Sequence, residues 1–422
     1  MASFAIKDAY AVMNALARQA TAQADISVVD HQSFIDAGTK TLATGTENVL
    51  NSIARTIAAV VMQSRPYTGK FSLINASENQ WNTRLAKISF YSSDNDPSGA
   101  FNTDLNTNIA TGNAENSGAG SMWEQKLPRV VERFYLSEAA WDKFYTTPLV
   151  QLQNAFNEES TFVAFMNGVM TEIQNDIEST LEARNRALVA DRIAGVYLLN
   201  KKKVLGNECV VNMTTYFNKK CGTNYTTHEI LTEHLTEFSE LVTSKLQIDV
   251  DRLEERSKKY HDPMTVTDNS VEYNVLRHTP RGKVKAFWFD ELWKDAKTRV
   301  MPSIFNKEYI NPEMGEKVQY WQSNKNDDDR MKIKCKPALP DGAVSENVEL
   351  DVVLGIIFDE DAIASINQFT GAFTTPVNAR HLYTNTFYHY KFGAVQDYTE
   401  NSIIYIMNDD DVTPKPDQTP GK

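Results

Sequence analysis

Two histidines flank an acidic stretch in His228-Glu229-Ile230-Leu231-Thr232-Glu233-His234, which comes close to the zinc-binding pattern HExxH. That pattern needs its second histidine where Thr232 stands, and imidazoles six residues apart on a helix point in different directions. The spacing argues against a metal ligand pair. Asp94-Asn95-Asp96-Pro97-Ser98-Gly99 copies the first half of a calcium loop, but its twelfth position is Leu105, so the bidentate carboxylate is missing and a solvated turn is expected. Arg281-Gly282-Lys283 lacks the upstream glycine of a phosphate loop, and no GxSxG occurs. Asp290/Glu291 and Asp359/Glu360/Asp361 follow strand-like runs, where α/β enzymes keep acids and bases. No nucleophile or histidine accompanies either cluster, so both read as caps of following helices. Asn326 to Arg330 reads as a charged, exposed loop. Cys209, Cys221 and Cys335 form no CxxC pair, which suits buried free thiols in a reducing compartment. The sequence therefore assigns no catalytic, cofactor-binding or metal-binding residue.

The densest chemistry left is aromatic. HLYTNTFYHYKF, His381 to Phe392, places Tyr388, Tyr390 and Phe392 on one face and Phe387, His389 and Lys391 on the other at period two. Base stacking needs arginine and lysine among the rings, and Lys391 is the only such residue in the segment. The expectation is a strand with a helix against one side and a neighbour or solvent against the other.

Such a strand needs elements to hold it. Residues after Pro148 run without proline to Pro263, and Phe162, Met166, Val169, Ile173, Ile177, Leu181 and Leu188 recur at helical spacing. One helix from about Glu158 to Asn200 is expected, roughly 60 Å long at ~1.5 Å per residue. Glu172, Asp176, Glu182, Arg184 and Arg186 would form its solvated side. Two amphipathic helices precede it near the start, the second opening at Thr44-Gly45-Thr46-Glu47, a possible capping box. Strand-like FSLINA, LAKISFYSS and EQKLPRVVERFYLS surround DNDPSGAFNTDLNTNIATGNAENSGAGS, Asp94 to Ser121, whose composition cannot build a core. A projecting two-legged β excursion is expected, with Phe101, Leu105 and Ile109 as an apolar stripe for a neighbour. Further on come a helix near Thr227 to Lys245, a strand at Val284 to Phe289, a helix after Asp290, a strand at Val348 to Phe358, a short helix at Ala362 to Ile366, and the strand NSIIYIM. DDDVTPKPDQTPGK reads as a disordered tail.

A chain of 422 residues should divide into two or three packing units. Its net charge of -12 opposes an electrostatic grip on nucleic acid. Lys7, Asp8, Asn14 and Arg18 interrupt any secretory h-region, and Ile57 to Met62 is far too short to span a bilayer, so a cytoplasmic chain without a membrane segment is expected.

Arm, β excursion, long helix, α/β region and returning strand, in that order, resemble the major capsid proteins of tailed phages, of the Hong Kong ninety-seven type, and most of all those of short-tailed phages. The stretches that carry the resemblance are EQKLPRVVERFYLSEAAWDKFYTTPLV and GIIFDEDAIASINQFTGAFTTPVNARHLYTNTFYHYKFGAVQDYTENSIIYI. The resemblance implies an α+β fold with an N-terminal arm at 1–66, an extended loop at 67–136 and a peripheral domain with a spine helix at 137–226. An axial domain at 227–375, return strands at 376–408 and a tail at 409–422 complete it. It implies a structural protein, not an enzyme, that self-assembles as pentamers and hexamers into an icosahedral head around double-stranded DNA. It needs no cofactor. Its partners would be itself, scaffolding, portal and decoration proteins, with nonspecific proximity to DNA and no membrane, in a virion assembled in the bacterial cytoplasm. The extended-loop tip has no lysine from Ile88 to Gln125, which argues against the covalent crosslink of one family variant. An encapsulin-like compartment shell and a cytosolic α/β enzyme remain as other readings.

Overall fold

The computed structural model describes residues 13–14, 17, 27–43, 69–75, 85–91, 129–135, 139–148, 159–202, 208–262, 265–268, 271–274, 276–292, 294, 315–323, 325–326, 329–339, 344–378 and 380–412. The second N-terminal helix, the loop tip and the stripe Phe101, Leu105 and Ile109 lie outside these residues. The chain divides into two units, one of residues 1–83, 137–185 and 365–393, the other of 84–136, 186–364 and 394–422.

In the first unit, α1 (His31–Ala43) starts where Asp30 and Ser33 cap each other. The Ser33 N–H donates to Asp30 Oδ1 at 2.8 Å, and the Asp30 N–H donates to Ser33 Oγ at 3.0 Å. The run FSLINA, expected as a strand, is instead a 3-10 turn over Lys70–Ile74. Phe71 and Ile74 are both buried, and a three-residue spacing aligns side chains in a 3-10 turn where a strand would separate them. β3 (Ala139–Pro148), β12 (Ile363–Thr374) and β13 (Tyr383–Gln396) form a sheet in the order β12-β13-β3. β13 and β3 are antiparallel, with Trp141 opposite Tyr390 and Phe144 opposite Phe387. The expected long helix is α2 (Glu159–Lys201), whose residues up to Asn185 belong to this unit.

The second unit holds the expected hairpin legs β1 (Leu85–Tyr91) and β2 (Arg129–Tyr135), paired antiparallel. Its centre is a five-stranded sheet of β4 (Val210–Asn212), β14 (Ser402–Met407), β11 (Val352–Asp359), β7 (Val284–Phe289) and β8 (Glu316–Val318), in that spatial order. β11 runs antiparallel to both neighbours, while β4 and β8 run parallel to theirs. Every residue of β14 is buried, as its unbroken SIIYIM requires. Residues from α3 (Met213–Cys221) and α5 (Leu235–Leu253), such as Phe217, Phe238 and Val242, pack with Trp288, Leu354, Ile357 and Tyr405 into one core. Gly355 makes that packing possible: a Cβ there would lie 2.1 Å from Trp288 Cε3 and 2.7 Å from the Phe287 carbonyl.

Four local expectations are corrected here. Thr227 to Lys245 is not one helix but α4 (Thr227–Thr232) followed by α5, because His234 leaves helical geometry and stacks on Tyr225 at 4.3 Å. Val348 to Phe358 is not one strand but β10 (Val348–Leu350), paired with β9 (Ile333–Cys335), and then β11. The break falls at the exposed Asp351. The acidic turn after β11 leads into β12, not a helix. Asp359 Oδ1 accepts the Asp361 N–H at 2.9 Å and so closes a turn on itself, and burial over Ile363 to Ile366, at the start of β12, then alternates at period two. Finally, Asp409 and Asp411 of the supposed tail are held in place. Asp409 Oδ1 accepts from both the N–H and the hydroxyl of Thr227 at 2.7 Å, and Asp411 accepts from Thr215 at 2.8 Å.

β5 (Thr265–Asp268) and β6 (Val271–Asn274) form a separate hairpin. Among the described residues no helix is long and apolar enough to cross a membrane.

Candidate functional site

The three-stranded sheet of the first unit has two unlike faces, and strand alternation creates both. Trp141, Lys143 and Tyr145 of β3 share one face with Thr386, Tyr388 and Tyr390 of β13. This face packs on α2. Trp141 stacks on Tyr390 with centroids 4.7 Å apart, and the Arg184 guanidinium lies 4.7 Å from the Trp141 ring and 5.2 Å from Phe392. Asp176 receives Lys143 Nζ at 3.0 Å and the Tyr145 hydroxyl at 3.1 Å. Burial, then the charge and hydrogen bond of Asp176, push the Tyr145 phenol well above its ordinary value. Burial likewise raises Tyr388 and lowers Arg184. The side of α2 expected to be solvated is thus partly used for packing, because Arg and Asp side chains reach over apolar surface while keeping charged partners. Arg186, in the other unit, lies 3.7 Å from the Tyr320 ring.

The opposite face is open. Phe144 lies 5.5 Å from Phe387, Phe387 stacks on His389 at 6.3 Å, and Phe373 of β12 meets His389 at 5.6 Å. Phe144 is 58 % exposed and Phe373 64 %. Asp142 and Lys391 share this face by register. Phe144 and Phe373 are exposed and Phe387 and His389 half-buried, a contiguous aromatic patch of a size that folded chains rarely leave uncovered. The sequence singled out Phe387 and His389 but missed Phe144 and Phe373. The alternation in AAWDKFYTTP carried a signal for Phe144; its place opposite Phe387 depended on pairing across more than two hundred residues.

The residues weighed for catalysis serve the fold. Thr226 and Glu229 form a capping box at α4, and His234 lies 3.4 Å from Glu237. Asp290 pairs with Lys294 at 2.7 Å in a helical turn. Asp359 Oδ2 accepts the Thr279 hydroxyl at 2.7 Å; that hydroxyl accepts from Asn401 at 3.1 Å, and Asn401 Oδ1 lies 3.0 Å from His261 Nδ1. All four are buried, so this network satisfies its own polar atoms. Among the described residues no three potential ligands converge on a metal position. Cys209 is buried and Cys335 partly so, but Cys221 is exposed, contrary to expectation, because it ends α3 beside Gly222, whose φ of 68° closes the helix.

A family model described as Phi29-like phage major capsid protein matches residues 13–406. No curated protein matches. Similar solved structures include the capsid of Staphylococcus phage Andhra, at 11 % identity over 81 % of this chain and 84 % of that one, with a TM-score of 0.49. A structure of head fiber and inner core protein of bacteriophage P68 is similar at 13 % identity, with 81 % and 85 % covered and a TM-score of 0.48. The capsid of cyanophage P-SCSP1u is similar at 9 % identity, with 80 % and 86 % covered and a TM-score of 0.41.

Proposed function

We propose how a chain that belongs to the Phi29-like phage major capsid protein family builds its shell: through the open aromatic face of its three-stranded sheet. The protein is a structural component of the phage capsid, and the compartment-shell and enzyme readings give way to that role. We further infer that copies join as pentamers and hexamers around double-stranded DNA, assembled in the host cytoplasm with scaffolding, portal and decoration partners. The observation that carries the reading is the exposure of Phe144 and Phe373 beside Phe387 and His389. Such rings supply interface area at low entropic cost, and a stable protein contact buries ~1,200 Å² or more. A strongly acidic wall is also suited to enclosing DNA that must not stick to it.

The extended loop at 67–136, with Phe101, Leu105 and Ile109, stays part of this proposal as a second contact with a neighbouring copy, within the domain boundaries read from sequence. The test is the double variant Phe144→Ser/Phe373→Ser, followed by electron microscopy and sedimentation. A folded subunit that no longer closes shells is expected. Normal shells from the variant would remove the aromatic face from assembly.

A further inference from the structure

The second unit carries an open cleft of about 1100 Å³, lined by no residue of the aromatic face. α4, the start of α5, the turn after β7, the β10–β11 junction and the end of β14 surround it. Its floor is apolar, with Leu235, Phe289, Leu350, Ile406 and Met407 all buried in the core yet lining the space. Its rim is acidic: among the described residues Glu291, Glu349, Asp351, Asp409 and Asp410 line it, against Lys332 as the one lysine or arginine.

Three rim acids have a cation nearby. Arg330 is 3.7 Å from Glu291, Lys332 is 3.9 Å from Asp351, and Lys334 is 3.0 Å from Glu349. These pairs are exposed, with the carboxylates 59 to 75 % open, so water screens them and they stay available to a further cation. Among the described residues, five carboxylates against three cations leave the rim negative. The volume slightly exceeds the usual range for a small-molecule pocket, ~300–1,000 Å³. The acids are also spread along the rim and do not converge on one point, which fits an extended ligand better than an ion.

We propose that this cleft receives a basic peptide segment of a separate partner protein, with an apolar side chain on the floor and lysines or arginines on the rim. Charge complementarity decides the occupant. A second copy of this chain carries a net charge of -12 and is the less suitable visitor.

The test uses the full chain as unassembled subunits and a fluorescein-labelled amphipathic peptide of leucine and lysine, read by anisotropy, with a leucine–glutamate peptide as control. Glu291→Gln/Glu349→Gln/Asp351→Asn should weaken binding roughly tenfold, the combined loss of a few exposed ion pairs. Glu240→Gln/Glu254→Gln/Glu255→Gln removes the same charge from exposed positions outside the cleft and should leave binding nearly unchanged. Lys332→Glu should tighten it. Circular dichroism checks that each variant is folded. Equal weakening by the two triple variants would reduce the effect to overall charge and overturn the proposal. So would equal binding of both peptides. Loss of subunit self-association on sedimentation in the cleft variant, with peptide binding unchanged, would make a second copy the occupant and overturn it as well.

Discussion

Replacing Gly195 by alanine sets helix propensity against packing, and the structure says which wins. Gly195 lies inside α2, where alanine in place of glycine stabilises an exposed helix by about 1 kcal/mol. At this buried position, however, the new Cβ would stand 2.0 Å from the Tyr398 hydroxyl oxygen and 2.8 Å from its Cζ. Tyr398 is not free to withdraw. It is 3 % exposed, and its hydroxyl is 2.9 Å from Gln396 Oε1 and 3.3 Å from the Ala338 carbonyl. Its ring also covers the guanidinium of Arg192 at 4.4 Å. Arg192 is fully buried and donates through Nη2 to Ser402 Oγ at 2.9 Å and to the Glu400 carbonyl at 3.3 Å, while its Nε and Nη1 have no hydrogen-bond partner among the described residues. The tyrosine face, together with the nearby carboxylates of Asp397 and Glu400, therefore compensates that charge.

Losing the hydroxyl's hydrogen bond costs about 1 kcal/mol, weakening a desolvated cation–π contact about 1 kcal/mol, and overpacking about 1–3 kcal/mol. Against a helix gain of about 1 kcal/mol, Gly195→Ala should destabilise the unit by about 2–4 kcal/mol. Urea unfolding of unassembled subunits, followed by tryptophan fluorescence, measures it. Tyr398→Phe removes the closest clashing atom, so the double variant should lose less than the sum of the singles, with a coupling of about 1 kcal/mol. Stability of Gly195→Ala equal to or above that of the parent chain would refute the reasoning, as it would mean that Tyr398 moves without loss.

Asp249 is 1 % exposed, pairs with Lys245 and accepts the Tyr405 hydroxyl at 2.8 Å. Asp249→Asn should cost about 3 kcal/mol or more in the same urea assay, because it strands a buried ammonium, and Lys245→Met/Asp249→Leu should cost less than that single change. A thiol reagent added to native subunits at pH 8 should label Cys221 at once. Cys209 is buried, and desolvation pushes the Cys335 thiol up to about 11, so both should react only after unfolding; rapid labelling of either would contradict the packing described. Truncation after Val412 should leave subunit stability unchanged, whereas truncation after Asn408 removes the carboxylate that caps Thr227 and should lower it by about 1 kcal/mol; identical melting of the two would show that this cap contributes nothing.

Local periodicity determined a good part of this protein before any tertiary contact was known. α2 was legible from apolar residues at threes and fours, and β7, β14 and β13 from β-branched and aromatic runs. The two faces of HLYTNTFYHYKF followed from alternation alone. Order along the chain was enough to suggest the capsid class that the family match then established. What the sequence left undecided was the environment of each face. Tyr388 and Tyr390 on one side, and Phe387 and His389 on the other, are equally aromatic. Only the pairing of β13 with β3, and the docking of Arg184 and Asp176, decided which face is covered. Ala362 to Ile366 looked helical after its acidic turn, yet Asp359 turned its carboxylate to Thr279 and Asp361, and the chain went on as β12. The cleft is assembled from segments scattered between Tyr197 and Asp410, none of which carries a motif. Side-chain spacing records whether a residue meets core or water within its own element. Which distant element supplies that core is settled only when the chain folds, by contacts that no local pattern encodes.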